Sequence, residues 1–159
     1  MITRISGRLE QVGEGEVTIV VGGLGYQVWV SPRTCASLRS RLNNEVVLHT
    51  ICYFQGFGLN QLQPVLLGFE REQERAFFQL LTTVDGLGPK AALRLLTEPV
   101  ERIAAAIEGG DEAFLRRLPG IGRQKAGEII AKLRGKAAAF AGGATGAVTG
   151  AGGPPKPAV

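Results

Sequence analysis

The sequence has almost nothing from which to build a metal or redox centre. Its 159 residues include one histidine, two cysteines and one methionine. A structural zinc site wants four nitrogen or sulfur ligands, so none is expected. Cys35 and Cys52 stand 17 apart and form no paired-ligand motif. They read as reduced, buried thiols of a reducing compartment. His49 and Cys52 are three apart, which on a strand puts them on opposite faces. No Gly-x-x-x-x-Gly-Lys-Ser/Thr and no Gly-x-Gly-x-x-Gly occurs, so no nucleotide-phosphate cradle is visible and an ATPase is not expected. The start lacks a basic segment, an apolar run and a small-residue cleavage site, which argues against secretion. The longest uncharged stretch, Val46 to Phe69, holds His49, Pro64, three glycines and four Asn/Gln residues. Such a stretch does not span a membrane.

What is present is the composition of a folded protein, 45% apolar and 20% charged. The length suits one domain or two small ones, and two small halves would gain stability by oligomerising. Eighteen basic and 14 acidic residues give a net charge of +4, too mild to argue from until its distribution is known.

The first part reads as β. Arg4 to Glu10 alternates, Val17 to Val21 is β-branched, and Gly22-Gly23-Leu24-Gly25 supplies a turn before the alternating Tyr26 to Val30. Pro32 to Leu42 fits one or two helical turns, Glu45 to Phe54 a long strand, Gln55 to Gln63 a loop, and Val65 to Leu67 a closing strand. Five strands with one helical interruption predict a small antiparallel barrel of the OB type over residues 1–66.

From Glu70 the period becomes helical. Phe77, Leu80, Leu81 and Val84 share one face, as do Val100, Ile103, Ala104 and Ile107, and Ala126, Ile129, Ile130 and Leu133. Breaks at Asp85-Gly86, Thr97-Glu98-Pro99, Gly109-Gly110-Asp111 and Pro119-Gly120 divide residues 67–136 into about five short helices. Residues 137–159, nearly all Ala, Gly, Thr and Pro, are expected to be a disordered tail. The expected fold class is therefore α+β: barrel, all-α domain, tail.

The informative signal is a repeat. Val84-Asp85-Gly86-Leu87-Gly88-Pro89-Lys90-Ala91-Ala92 returns as Leu118-Pro119-Gly120-Ile121-Gly122-Arg123-Gln124-Lys125-Ala126, 34 residues later. In each copy the glycines permit a tight turn between helices while Leu87 or Ile121 plugs inward. The next helix then opens with unpaired N–H groups and a positive dipole end, an anion site. Lys90 and Arg94 flank the first copy, and Arg117, Arg123 and Lys125 the second. Between Leu115 and Lys136 there are seven basic residues and one acid, Glu128, a local excess of +6. Ordinary αα turns with a solvated basic face would also fit one such copy; two copies within an excess of one sign point to nucleic acid backbone. These are two helix-hairpin-helix motifs.

With Val20 to Val28, Leu67-Gly68-Phe69 and Gln73-Glu74-Arg75, the two hairpins resemble the RuvA family of bacterial Holliday junction proteins, in register from Met1 to about Lys136. The resemblance implies a non-catalytic, cofactor-free binder of four-way junction DNA, cytoplasmic and nucleoid-associated. It implies a homotetramer, single or stacked as an octamer, built on the barrel. It further implies an ATP-driven RuvB-like motor and a RuvC-like resolvase as partners, and DNA contacts at Gly86, Leu87, Gly88, Lys90, Arg94, Arg117, Gly120, Ile121, Gly122, Arg123 and Lys125. A junction-centre loop would comprise Gln55, Phe57, Leu59 and Gln61.

The chain departs from the family pattern in two places. The family's acidic pin falls in the loop Gln55 to Gln63, and no Asp or Glu occurs between Glu45 and Glu70. Phe57, between Gly56 and Gly58, is there instead and suits an apolar wedge. The Ala/Gly/Pro segment also carries no amphipathic pattern of the kind that a motor-docking domain needs. Two other readings are a DNA-binding paralogue without a motor and a hairpin-bearing glycosylase. The glycosylase needs a catalytic aspartate after its hairpin, whereas the last aspartate here is Asp111. Tyr26 and Trp29 fit either barrel packing or a platform for stacked bases.

Overall fold

The computed structural model describes residues 1–56, 58 and 61–142. Five strands form the first half: β1 (Arg4–Val12), β2 (Glu16–Val21), β3 (Leu24–Val30), β4 (Glu45–Gln55) and β5 (Gln63–Phe69). Along β1 the alternation buries Ile5, Gly7 and Leu9, and along β4 it buries Val46, Leu48 and Thr50. The strands close into a barrel in the order β1-β2-β3-β5-β4, with β4 returning to pair with β1.

The expected all-antiparallel barrel is corrected at one seam. β3 and β5 run parallel, with Val28 to Val30 opposite Leu66 to Gly68. Five is odd, so strand directions that alternate around a closed ring of five must fail to alternate once. The helix α1 (Pro32–Leu38) makes the connection between β3 and β4 that brings this about. Its start is fixed locally: Ser31 accepts from the Thr34 N–H at 3.0 Å, and Pro32 lacks only an N–H that the first turn leaves unpaired. At the seam Gly68 leaves room for core side chains of the neighbouring strands: a Cβ there would lie 2.6 Å from Val28 Cγ1 and 2.8 Å from Leu48 Cδ1. Of the two thiols only Cys35 is buried; Cys52, expected to be buried, is half-buried, because it lies where the β3–β5 pairing gives out.

The expected barrel limit at residue 66 falls inside β5. The pleat of that strand serves two cores at once: Leu66 packs against the barrel interior, and Leu67 and Phe69 against the helices. Those helices are α2 (Glu72–Leu81), α3 (Pro89–Leu95), α4 (Val100–Gly109), α5 (Glu112–Arg116), α6 (Arg123–Leu133) and α7 (Ala138–Ala141). The three apolar faces read from the sequence meet in one core, with Phe77, Leu81, Ile103, Ile107, Ile129 and Leu133 almost wholly excluded from water.

The disordered tail expected from residue 137 is corrected at its first residues. Ala137 is buried and α7 sets Phe140 edge-on to Phe77, ring centroids 5.3 Å apart. One ring with enough apolar area, carried on alanines of high helix propensity, extends the core beyond the last periodic segment. Residues 143–159 lie outside the described residues.

Barrel and helices are tied by specific contacts. Arg75 Nη1 donates to the Thr3 carbonyl at 3.0 Å, Ser37 Oγ pairs with Glu70 Oε1 at 3.0 Å, and Lys90 Nζ lies 5.0 Å from the Trp29 ring centroid. Within the helical half, Arg71 Nη1 donates to Glu101 Oε1 at 2.7 Å, and that bond holds the Glu101 carboxyl below the usual carboxylate range.

Candidate nucleic-acid interface

Each Gly-x-Gly segment folds into the same turn. The Leu87 N–H donates to the Val84 carbonyl at 3.1 Å, and the Ile121 N–H to the Leu118 carbonyl at 3.2 Å. The third residue of each turn has positive φ, +75° at Gly86 and +77° at Gly120, where a side chain would be strained. Leu87 and Ile121 are buried, as inward plugs should be. Gly88 and Gly122 are extended N-caps with φ of −71° and −91°. Their value is space, since a Cβ at either would meet nothing within 4 Å.

Past the caps, the helix ladders begin with the Ala92 N–H to Gly88 and the Ala126 N–H to Gly122, both at 2.9 Å. Before those bonds, among the described residues, the N–H groups of Gly88, Lys90 and Ala91 have no protein acceptor. In the second hairpin those of Gly122, Arg123, Gln124 and Lys125 have none. Two clusters of outward N–H groups on open glycine surfaces are suited to bind phosphate oxygens.

The chain has matching sequence relatives for both halves. Residues 1–55 match the family model described as RuvA N terminal domain, and residues 78–136 match SAM-like Helix-hairpin-helix tandem. A protein of Rhodopirellula baltica named Holliday junction branch migration complex subunit RuvA is 44% identical over 142 residues, covering 89% of this chain and 69% of the relative. The chain belongs to the RuvA family. Relatives of the same name from Desulforapulum autotrophicum and Desulfosudis oleivorans are 39% and 37% identical, and this chain spans 64% and 68% of their lengths.

In this RuvA-family chain the predicted side chains divide into two groups. Arg123 is exposed beside the second turn, and Arg94 is exposed on α3. The others are engaged. Lys90 is held over Trp29; Arg117 stacks on Phe114 at 5.3 Å, with Arg102 at 5.6 Å from the same ring. Lys125 Nζ donates to the Asp85 carbonyl of the first hairpin at 2.8 Å and to Glu128 Oε2 at 2.6 Å. It therefore braces one hairpin against the other, and its proximity holds the Glu128 carboxyl below the usual range. Sequence reasoning passed over Asp85 and Glu128 in this role. The available signal was that Lys125 has Ala91, not a second lysine, as its counterpart in the repeat.

Gln55 and Gln61 lie at one end of a groove that also exposes Tyr26 and Trp29. Phe57 and Leu59 lie outside the described residues. Among the described residues no group of three or more His, Cys, Asp or Glu side chains could hold a metal ion, and no helix is long and apolar enough to cross a membrane.

Proposed function

We propose that this chain grips four-way DNA junctions by their sugar-phosphate backbones and holds them open for branch migration by an ATP-driven partner. On this reading it does no covalent chemistry and needs no cofactor. The observation that carries the reading is the pair of matched turns, each presenting unpaired N–H groups beside open glycine surface. The names of the relatives support the choice of a Holliday junction as the target. Backbone contacts carry no sequence information, so preference for a junction has to come from placing several clamps around a four-armed shape. That favours a homotetramer, single or stacked as an octamer, assembled through the barrel and working with a RuvB-like motor and a RuvC-like resolvase in the cytoplasm.

Gel-shift titration of a four-way junction and a linear duplex of equal length tests the reading. Junction binding is expected to be tighter, indifferent to base sequence, and steeply weakened by salt through counterion release. Equal affinity for the two DNAs overturns it.

A further inference from the structure

We propose that the groove between β3 and β5 is a binding site for the unpaired bases of single-stranded DNA. The proposal rests on the nucleic-acid reading above and adds a site to it. Parallel pairing of the two strands starts at Val28 and Leu66. Around that point a groove of about 670 Å³ is lined by residues of both strands, a size typical of small-ligand sites.

Its chemistry is selective. Trp29, half-buried, supplies the aromatic surface, Gln27 shares its face of β3, and Gln55 and Gln63 supply further carboxamides; Tyr26, on the opposite face, packs against the barrel core. A carboxamide both donates and accepts, as base edges do, and base–aromatic stacking is indifferent to which base is present. Glu16 Oε2 accepts from Gln27 Nε2 at 2.6 Å, which orients that amide and leaves its oxygen as an acceptor. Among the described residues no carboxylate lines the groove itself; Glu16 stands behind Gln27 with its charge engaged by that amide. Lys90 stands at its edge, 5.0 Å over the indole, and belongs to the helix after the first hairpin. A base stacked on the indole would displace the Lys90 ammonium from the ring and leave it to pair with the nucleotide's phosphate.

Trp29 is the chain's single tryptophan, so its emission reports this groove alone. The full chain is titrated with a twelve-residue oligothymidylate, with an abasic oligomer of the same phosphate count, and with a four-way junction in parallel; end-label anisotropy reads binding in each case. The expected result is saturable quenching of Trp29 by oligothymidylate, with the abasic oligomer bound at least fivefold more weakly and leaving the emission unchanged. Gln27→Ala, an exposed position, should weaken oligothymidylate binding severalfold while the preference for junction over duplex persists. An unchanged Trp29 emission at saturating oligothymidylate, or the same change with the abasic oligomer, overturns the groove; a groove that takes an extended peptide instead gives the first of these. Loss of the preference for junction over duplex is the separate failure of the underlying reading.

Discussion

At an offset of 34 residues, Pro89, Lys90 and Ala91 of the first hairpin stand where Arg123, Gln124 and Lys125 stand in the second. The turns before them agree to 2° in φ at the positive-φ glycine (75° and 77°) and to 0.1 Å in the hydrogen bond that closes them (3.1 and 3.2 Å). The helix starts after the turns differ. Pro89 deletes one outward N–H, Lys90 is drawn onto Trp29, and Asp85 puts a carboxylate into the first turn where the second has Pro119. The second turn has an exposed arginine at its helix start. The repeat therefore dictates a backbone twice and an exposed cation at the helix start once, Arg94 lying further along α3, and the second hairpin should be the stronger grip.

The largest effect is expected from Gly120→Val. No atom obstructs the new Cβ, so the cost is backbone strain at φ +77°, on the order of 1–3 kcal/mol. Distortion of the turn should lower junction affinity at least tenfold in a gel shift, and Gly86→Val should lower it less. Gly122→Val provides the contrast: its φ of −91° tolerates a side chain, so only the close approach of phosphate is obstructed. A folded Gly122→Val protein with unchanged affinity would make that approach irrelevant.

Lys125→Met separates a brace from a contact. With its ammonium committed to Asp85 and Glu128, its loss should reduce junction affinity a few-fold while leaving the salt dependence nearly unchanged. A fall in the slope of log K against log salt of about one would instead make Lys125 a phosphate ligand.

Pro89→Ala sharpens the comparison from the other side. It restores a fourth N–H to the first hairpin and should tighten junction binding by a small factor, at a slight cost in stability from a less preorganised first turn. Weaker binding by a folded variant would contradict the N–H account.

The smallest effect concerns acid stability. Glu101 titrates below its ordinary range because Arg71 hydrogen-bonds its carboxylate. A depressed folded-state pKa stabilises the fold above the unfolded value, and that contribution is lost as pH falls through the folded value. Thermal melts of Glu101→Gln should be lower than wild type at neutral pH and converge with it in acid.

The amino-acid pattern made much of this legible. Period-two alternation located β1 and β3, and apolar or β-branched runs the other strands; the change to a 3.6 period located the helical half, and the repeated Gly-x-Gly located both turns. It was silent where the outcome depends on contacts distant in sequence. The parallel seam comes from closing the ring, not from the residues of β3 or β5. Lys125 reads as one more basic residue until Asp85, 40 positions away, is found beside it. The positive φ falls on the first glycine of each pair, whereas spacing alone leaves both eligible. Ala137 and Phe140 join the core through tertiary packing, in a segment whose composition alone argues for a tail.

The unequal grip is tested most directly by salt titrations of four-way junction binding with Arg123→Ala and Lys90→Ala measured beside wild type. Arg123→Ala should lower the slope of log K against log salt by about one, and Lys90→Ala by clearly less, because its ammonium rests on Trp29. Equal reductions, or no reduction in Arg123→Ala, would contradict the account.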